Sequence, residues 1–352
     1  MTLVKTITSI TPHKRKSFGV QSLRFYAQLF SLLLNIVIGI QFYLWVRHLE
    51  SPDTTLSVSR PEGVEGWLPI GALVSARHFF ETGVINDIHP SGLFIFVTIV
   101  VTSFIFRRAF CSWICPVGFI SEMLGDISDR VFGKRLKLPS WLDWPLRSLK
   151  YLLLLFFIWA IFFQMTPAAI KSFVYSDYNV VSDLLMLKFF TDISMFSLGV
   201  ISFLFLMSLI IRGFWCRYLC PYGALVGIAG FFSPTRITRS SASCIDCAVC
   251  TRVCPSFIKI KTVKQVWSDE CTGCMACVDS CPVSNTIQIG GYKKFRLTSK
   301  QWAISMLVFF WGTLFVIKLV GPWENGVSDD RYRQMLPGVE QGAFAHPGAD
   351  GK

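Results

Sequence analysis

Eight of the twelve cysteines fall into one pattern written twice: Cys244-x2-Cys247-x2-Cys250-x3-Cys254-Pro255 and Cys271-x2-Cys274-x2-Cys277-x3-Cys281-Pro282. Such short spacings let three thiolates wrap three corners of an iron–sulfur cube, while the fourth cysteine of each run reaches the neighbouring cube. On that rule Cys244, Cys247, Cys250 and Cys281 hold one [4Fe–4S] cluster, and Cys271, Cys274, Cys277 and Cys254 hold the other. Thiolates also suit tetrahedral zinc, but the doubled spacing, with each run closing in Cys-Pro, favours the cubes. Gly273 fits a tight loop beside a cluster, and Ile245, Val249, Val253, Ile258, Val278 and Ile287 are expected to keep water off it.

The other four cysteines form two shorter echoes, Phe110-Cys111-Ser112-Trp113-Ile114-Cys115-Pro116-Val117-Gly118 and Trp215-Cys216-Arg217-Tyr218-Leu219-Cys220-Pro221-Tyr222-Gly223. Helical i, i+4 spacing puts both sulfurs of a pair on one face, and the proline is tolerated if it opens the next helix. Three roles stay open for the two pairs: one further metal centre held between helices, redox-active disulfides, or packing as small hydrophobes. Repetition at equivalent places favours a redox or metal role.

The elements that carry these motifs are apolar blocks. The 352 residues are 52% hydrophobic and only 16% charged, and crossing a bilayer core of roughly 30 Å takes about 20 helical residues. Five blocks serve as spans: Phe25–Val46, Ser91–Phe106, Leu146–Met165, Met195–Ile211 and Gln301–Val320. Arg107, Arg108 and Arg212 stand where two of them end, as at a cytoplasmic border. Lys and Arg number 25 in segments 1–24, 107–150 and 212–300, against 9 in 47–90, 166–194 and 318–352. The positive-inside rule then sets the N-terminus and every cysteine on the cytoplasmic side and the C-terminus outside. A net charge of +12 gathered beside spans, without a separate basic arm, argues against nucleic acid.

The expected fold is mainly α: a polytopic membrane helical bundle of about five spans, with a small α+β ferredoxin-like insertion for two [4Fe–4S] clusters. It divides into a basic cytoplasmic N-terminus (1–24), read as a retained anchor's leader, and a four-span bundle (25–232). The ferredoxin-like domain (233–297), a fifth span (301–320) and an external tail (321–352), expected to be disordered when unbound, complete it. The echo of Arg77–Thr82 in Leu187–Asp192, each ahead of a span and a Cys-x3-Cys-Pro motif, suggests a two-fold internal repeat. Between the first two spans, residues 60–78 read as a re-entrant or interfacial helix. Ionisable groups near membrane depth are functional candidates, and His78 is the foremost candidate to accept protons from a quinol, ahead of Glu81, Asp87 and His89.

The four motifs together, Cys111–Pro116, Cys216–Pro221, Cys244–Pro255 and Cys271–Pro282, resemble the NapH/NosR type of polytopic ferredoxin-like membrane protein over roughly residues 20–295. The resemblance implies electron transfer between the quinol pool and a periplasmic or membrane-bound redox partner, as a subunit of a respiratory complex in a bacterial inner membrane. The fifth span and short tail depart from the four-span pattern. The competing expectation is a maturation factor that reduces a metal or disulfide during assembly of another membrane complex. The sequence has no CxxCH haem-attachment motif and no glycine-rich nucleotide loop in a strand–helix context.

Overall fold

The computed structural model describes residues 19–51, 58–131, 138–290 and 296–344. Lys5, Lys14, Arg15 and Lys16 of the N-terminus and the end of the tail lie outside them. The chain starts with one long helix, α1 (Val20–Glu50). A 3-10 turn at Glu62–Trp67 leads into α2 (Pro69–Thr82), which a proline opens and left-handed Gly83 closes. Helix α3 (Pro90–Phe106) ends where Arg107 takes a φ of 61°. A single turn, α4 (Phe110–Trp113), precedes α5 (Pro116–Val131).

The second half begins with α6 (Ser140–Trp159), which continues through a π turn to Gln164. Three short helices, α7 (Pro167–Val174), α8 (Asp177–Val180) and α9 (Ser182–Thr191), lead to α10 (Met195–Ile210). A π turn at Trp215–Leu219 then feeds α11 (Pro221–Phe231). Strands β1 (Arg236–Arg239), β2 (Ile287–Gly290) and β3 (Arg296–Leu297) form one antiparallel sheet in that order. It carries the two cysteine runs with their one-turn helices α12 (Val249–Arg252) and α13 (Ala276–Asp279). A Thr298–Gln301 capping box starts α14 (Ser299–Val320), and α15 (Asp329–Glu340) follows.

Helices α1, α6 with its π turn, and α14 are long and apolar enough to cross a membrane, and α9 with α10, bent by 81°, makes a fourth if counted as one span. Phe30, Leu33 and Val37 of α1, Phe203 and Leu206 of α10, and Val308 and Phe315 of α14 are exposed, as lipid-facing side chains are. The expected second span, α3, is a shorter apolar helix of 17 residues. It packs against α2, α11 and α14, so protein rather than lipid covers much of its length and full membrane thickness is not required of it.

The two halves interlock. Helix α3 packs against α11, the helix after the second Cys-x3-Cys-Pro motif, while α10 packs against α5, the helix after the first. This exchange draws two motifs about 105 residues apart in sequence to one place. At the opposite end α15 is a folded amphipathic helix, not a disordered tail: Tyr332 is fully buried with its ring edge on Trp45 of α1, and Lys188 Nζ donates to the Val339 and Glu340 carbonyls.

Candidate functional site

The loops of the two cysteine runs share an unusual backbone. Asp246 and Ala248 flank Cys247, Gly273 and Met275 flank Cys274, and all four have φ between 55° and 60°. Three of them are not glycine, so each costs free energy that a plain loop would avoid. Left-handed residues on both sides of a cysteine turn successive amides toward one concave spot, an arrangement that suits an anionic cluster. One cavity of about 340 Å³ is lined by Cys244, Cys247, Cys250 and Cys281. A second, of about 370 Å³, is lined by Cys254, Cys271, Cys274 and Cys277. The structure thus brings the eight cysteines together in the crossed sets that the spacing predicts.

Burial pushes the Cys254 thiol up to about 12 and Cys277 well above the usual range, with neighbouring thiols adding to both. Binding a metal group there releases protons. Among the described residues no group of three or more His, Cys, Asp or Glu side chains is placed to hold a single metal ion. Ligands of a cube, each on its own iron, stand further apart than ligands of one zinc.

The two cavities differ in surroundings. Cys254, Cys274 and Cys277 are buried, and the Cys271 run lies against the bundle. Around the other cavity Cys244, Cys247 and Cys281 are partly exposed, and Ile245, expected to exclude water, is itself 59% exposed. Of the remaining expected shields, Val253, Ile258, Val278 and Ile287 do join the domain's apolar core.

The four remaining cysteines converge. Burial, then Cys111, Cys216 and Cys220, drives the Cys115 thiol well above the ordinary range; Cys216 is pushed up to about 12 by burial, then Cys220 and Cys111. The expectation of two sulfurs on one helical face needs correction. Cys115 N–H donates to Phe110 O at 2.9 Å and Cys220 N–H to Trp215 O at 3.0 Å, so both motifs close on five-residue π turns. The cause is the proline after each second cysteine, which disfavours helical backbone at the residue before it; π turns inserted in helices recur at functional sites.

Each second cysteine then sits at the N-terminus of a helix, Cys115 before α5 and Cys220 before α11, where Gly223 N–H donates to Cys220 Sγ at 3.2 Å. That position favours an anionic sulfur. Gly118 and Gly223, three residues on, permit the close approach: a Cβ on Gly118 would lie 2.1 Å from Cys111 O, and one on Gly223 would lie 2.7 Å from Arg108 Nη2.

Between these thiols and the ferredoxin-like domain opens a cavity of about 670 Å³ lined by Cys111, Cys216 and Cys274 together with Arg24, Arg108, Arg212 and Arg217. Two residues of the first motif dock on the second cysteine run. Ser112 Oγ donates to Thr272 O at 2.7 Å and Trp113 Nε1 to Gly273 O at 3.1 Å. The arginines read as border markers are also structural links. Arg107 donates to Val266 O and Ser268 O at 3.1 and 2.9 Å, and Arg212 pairs with Asp126 and Asp129 of α5. Glu270, which precedes Cys271, is buried between Lys150 and Arg108. Positive-inside reasoning had counted these charges without assigning them partners. Their signal was adjacency to cysteine: Arg108 three residues before Cys111, Glu270 one before Cys271.

His78 does not line the cavities that the cysteines line. It is buried on α2 with its ring edge on Tyr175, beside Arg77, which pairs with Glu81 and donates to the Ile161 carbonyl. Helix α2 approaches the thiols only through one apolar layer: Ala72 and Ala76 pack with Leu93 and Phe96, and Tyr222, whose ring lies 5.9 Å from Phe96, borders that layer. Both ring nitrogens of His89 are engaged, with Glu65 Oε1 at 3.1 Å and Asn179 O at 2.7 Å. Glu65 also accepts from Ser91 Oγ and the Gly92 amide and pairs with Arg60. His89 is therefore a fixed part of the cap over α3, and Asp87 holds the tail, its carbonyl accepting from Gly326 N–H at 2.7 Å.

Comparison with known proteins finds iron–sulfur domain models over the same segments. A 4Fe–4S binding domain model matches twice, at residues 88–139 and 193–239, each match containing one Cys-x3-Cys-Pro motif, and a 4Fe–4S dicluster domain model matches residues 236–288. YccM of Escherichia coli K12, a proposed electron transport protein, is 42% identical over 318 residues, 88% of each chain. The ferredoxin-type protein NapH of the same organism is 24% identical over 50% of this chain and 59% of its own. The regulatory protein NosR of Pseudomonas aeruginosa is 25% identical over 62% of this chain and 32% of its own. No solved structure matches. With cysteine motifs, apolar helices and near-full-length similarity in agreement, the chain belongs to the family of 4Fe–4S ferredoxin-type membrane proteins that includes YccM, NapH and NosR.

Proposed function

We propose that this protein carries electrons between the membrane quinol pool and a redox partner, as a subunit of a respiratory complex in a bacterial inner membrane. Cys244, Cys247, Cys250 and Cys281 hold one [4Fe–4S] cluster, and Cys271, Cys274, Cys277 and Cys254 the other. Cys111, Cys115, Cys216 and Cys220 hold a further iron–sulfur centre. These groups supply one-electron carriers; the chain's own residues position and insulate them.

What supports the reading is adjacency: Ala72 and Ala76 of α2, the helix that carries His78, pack with Phe96 beside Tyr222, and one cavity is lined by Cys111, Cys216 and Cys274 together. A quinol oxidised beside α2 loses two electrons and two protons. His78 would take a proton, and the groups held at the thiol sites would supply the one-electron carriers. In this reading the ferredoxin-like domain is cytoplasmic and the α15 side periplasmic, in line with the charge distribution.

The test uses anaerobically purified protein in liposomes with a reduced short-chain quinol. Cluster reduction followed by EPR is the expected result, slowed by His78→Ala. No reduction over a range of quinol potentials overturns the proposal.

A further inference from the structure

The four thiols and the nearer ferredoxin cavity share one buried cation. Arg108 is 3% exposed and spends its guanidinium in three directions: Nε donates to Cys111 Sγ at 3.4 Å, Nη2 to Cys216 O at 3.0 Å, and Nη1 faces Glu270 Oε2 at 3.6 Å. Glu270 directly precedes Cys271 and is itself gripped by fully buried Lys150. We propose that Arg108 is a positioning residue that sets the reduction potential of the four-thiol centre and couples it to the cluster site of Cys271. This rests on the reading of Cys111, Cys115, Cys216 and Cys220 as a redox centre.

Three observations support it. The internal repeat is broken at this position: three residues before Cys111 stands Arg108, whereas three before Cys216 stands Gly213. A packing role common to both halves would not single out one of them. Secondly, the arginine reaches past its own motif, its Nη2 donating to Cys216 O of the other motif at 3.0 Å. Thirdly, the separation it bridges is fixed from both sides by the Ser112–Thr272 and Trp113–Gly273 hydrogen bonds. Helix α6 holds Glu270 from behind through Lys150.

The step concerned is a single electron transfer. Groups held by Cys111, Cys115, Cys216 and Cys220 and by the Cys271 site would exchange one electron, the first oxidised as the second is reduced, with no bond made or broken and no proton moved. Each added electron makes a site more negative by one charge, and a guanidinium within hydrogen-bond reach in a low-dielectric setting favours that reduced form. Arg stays protonated throughout, so the effect does not vanish with pH. Removing the charge therefore lowers the potential of the four-thiol centre most, that of the Cys271 site less, and that of the solvent-facing Cys244 site least.

The experiment is a redox titration of anaerobically purified full-length protein, followed by EPR, with iron and sulfide counted in each sample. Wild type is compared with Arg108→Gln, which keeps amide donors without charge, and Arg108→Lys, which keeps the charge without the fork. Arg108→Gln is expected to weaken reduction of the four-thiol centre at least tenfold, or 59 mV for one electron, with a smaller shift in Arg108→Lys and the smallest at the Cys244 site. An unchanged midpoint in Arg108→Gln at full iron content overturns the inference while leaving the centre itself standing. Loss of the centre in Arg108→Gln but not in Arg108→Lys supports the role of the charge, and loss in both overturns it. About eight irons per wild-type chain instead of about twelve removes the underlying reading of the four thiols, and this inference with it.

Discussion

The crossed ligation of the two ferredoxin-like cavities can be tested one cysteine at a time, because the fourth ligand of each belongs by sequence to the other run. Consider Cys254→Ser and Cys281→Ser. Cys254 lies at the end of the first run but lines the cavity of Cys271, Cys274 and Cys277; Cys281 ends the second run but lines that of Cys244, Cys247 and Cys250. Each substitution removes one of four thiolates, so each lowers the content of the domain from about eight irons to about four, or leaves a three-iron remnant with about seven. Iron counting alone does not say which cube is hit, but exposure does. The Cys281 cavity includes partly exposed Cys244 and Cys247 beside exposed Ile245, whereas Cys254, Cys274 and Cys277 are each 8% exposed or less. A hydrophilic oxidant such as ferricyanide, mixed with dithionite-reduced protein, should therefore bleach two EPR signals at different rates. Cys281→Ser is expected to abolish the fast signal and Cys254→Ser the slow one. The reverse assignment, with Cys254→Ser removing the fast signal, would refute the crossed arrangement.

Three further outcomes are expected. Glu65→Gln leaves His89 buried without its carboxylate, while Arg60 keeps Glu62 and Asp183, and should cost about 3 kcal/mol of stability, seen as a lower thermal midpoint in nanodiscs; a change under about 1 kcal/mol counts against the pairing. Burial opposes ionisation of Glu65, but His89 and Arg60 prevail and hold it down to about 2, while Glu65 in turn raises His89. Stability from Glu65 is thus present above its ordinary 4.5 and lost as pH falls toward about 2. That from His89 is complete below its ordinary 6.5 and lost as pH rises through its elevated value, so thermal midpoints should peak between these limits and the peak should flatten in Glu65→Gln. Gly118→Ala drives a Cβ against the Cys111 carbonyl and should remove the iron of the four-thiol centre while both ferredoxin signals persist; full iron content would refute that crowding. Ser112→Ala leaves the Thr272 carbonyl unmet, a loss of about 1–3 kcal/mol, read as faster amide exchange over residues 268–275, and unchanged exchange would show that this contact does not hold the domain.

Sequence alone determined what depends on short separations. The doubled run of eight cysteines marked 4Fe–4S binding, because thiolates at such short intervals can wrap several corners of one cube. Apolar length marked the long helices, and the repeated Cys-x3-Cys-Pro motif marked the duplication. Only the tertiary structure decided what depends on partners more than a hundred residues away. The exchange of α5 and α11 between halves brings Cys111 beside Cys216. Arg107 and Arg108, indistinguishable in sequence from border charges, are buried because ferredoxin-domain carbonyls and Glu270 await them. His89 and Glu65 became a locked cap and His78 did not, since hydrogen-bond partners from α8 and the 3-10 turn reach only the former. Burial of a charge is affordable only beside its complement, and which complement arrives is settled by packing rather than by spacing along the chain.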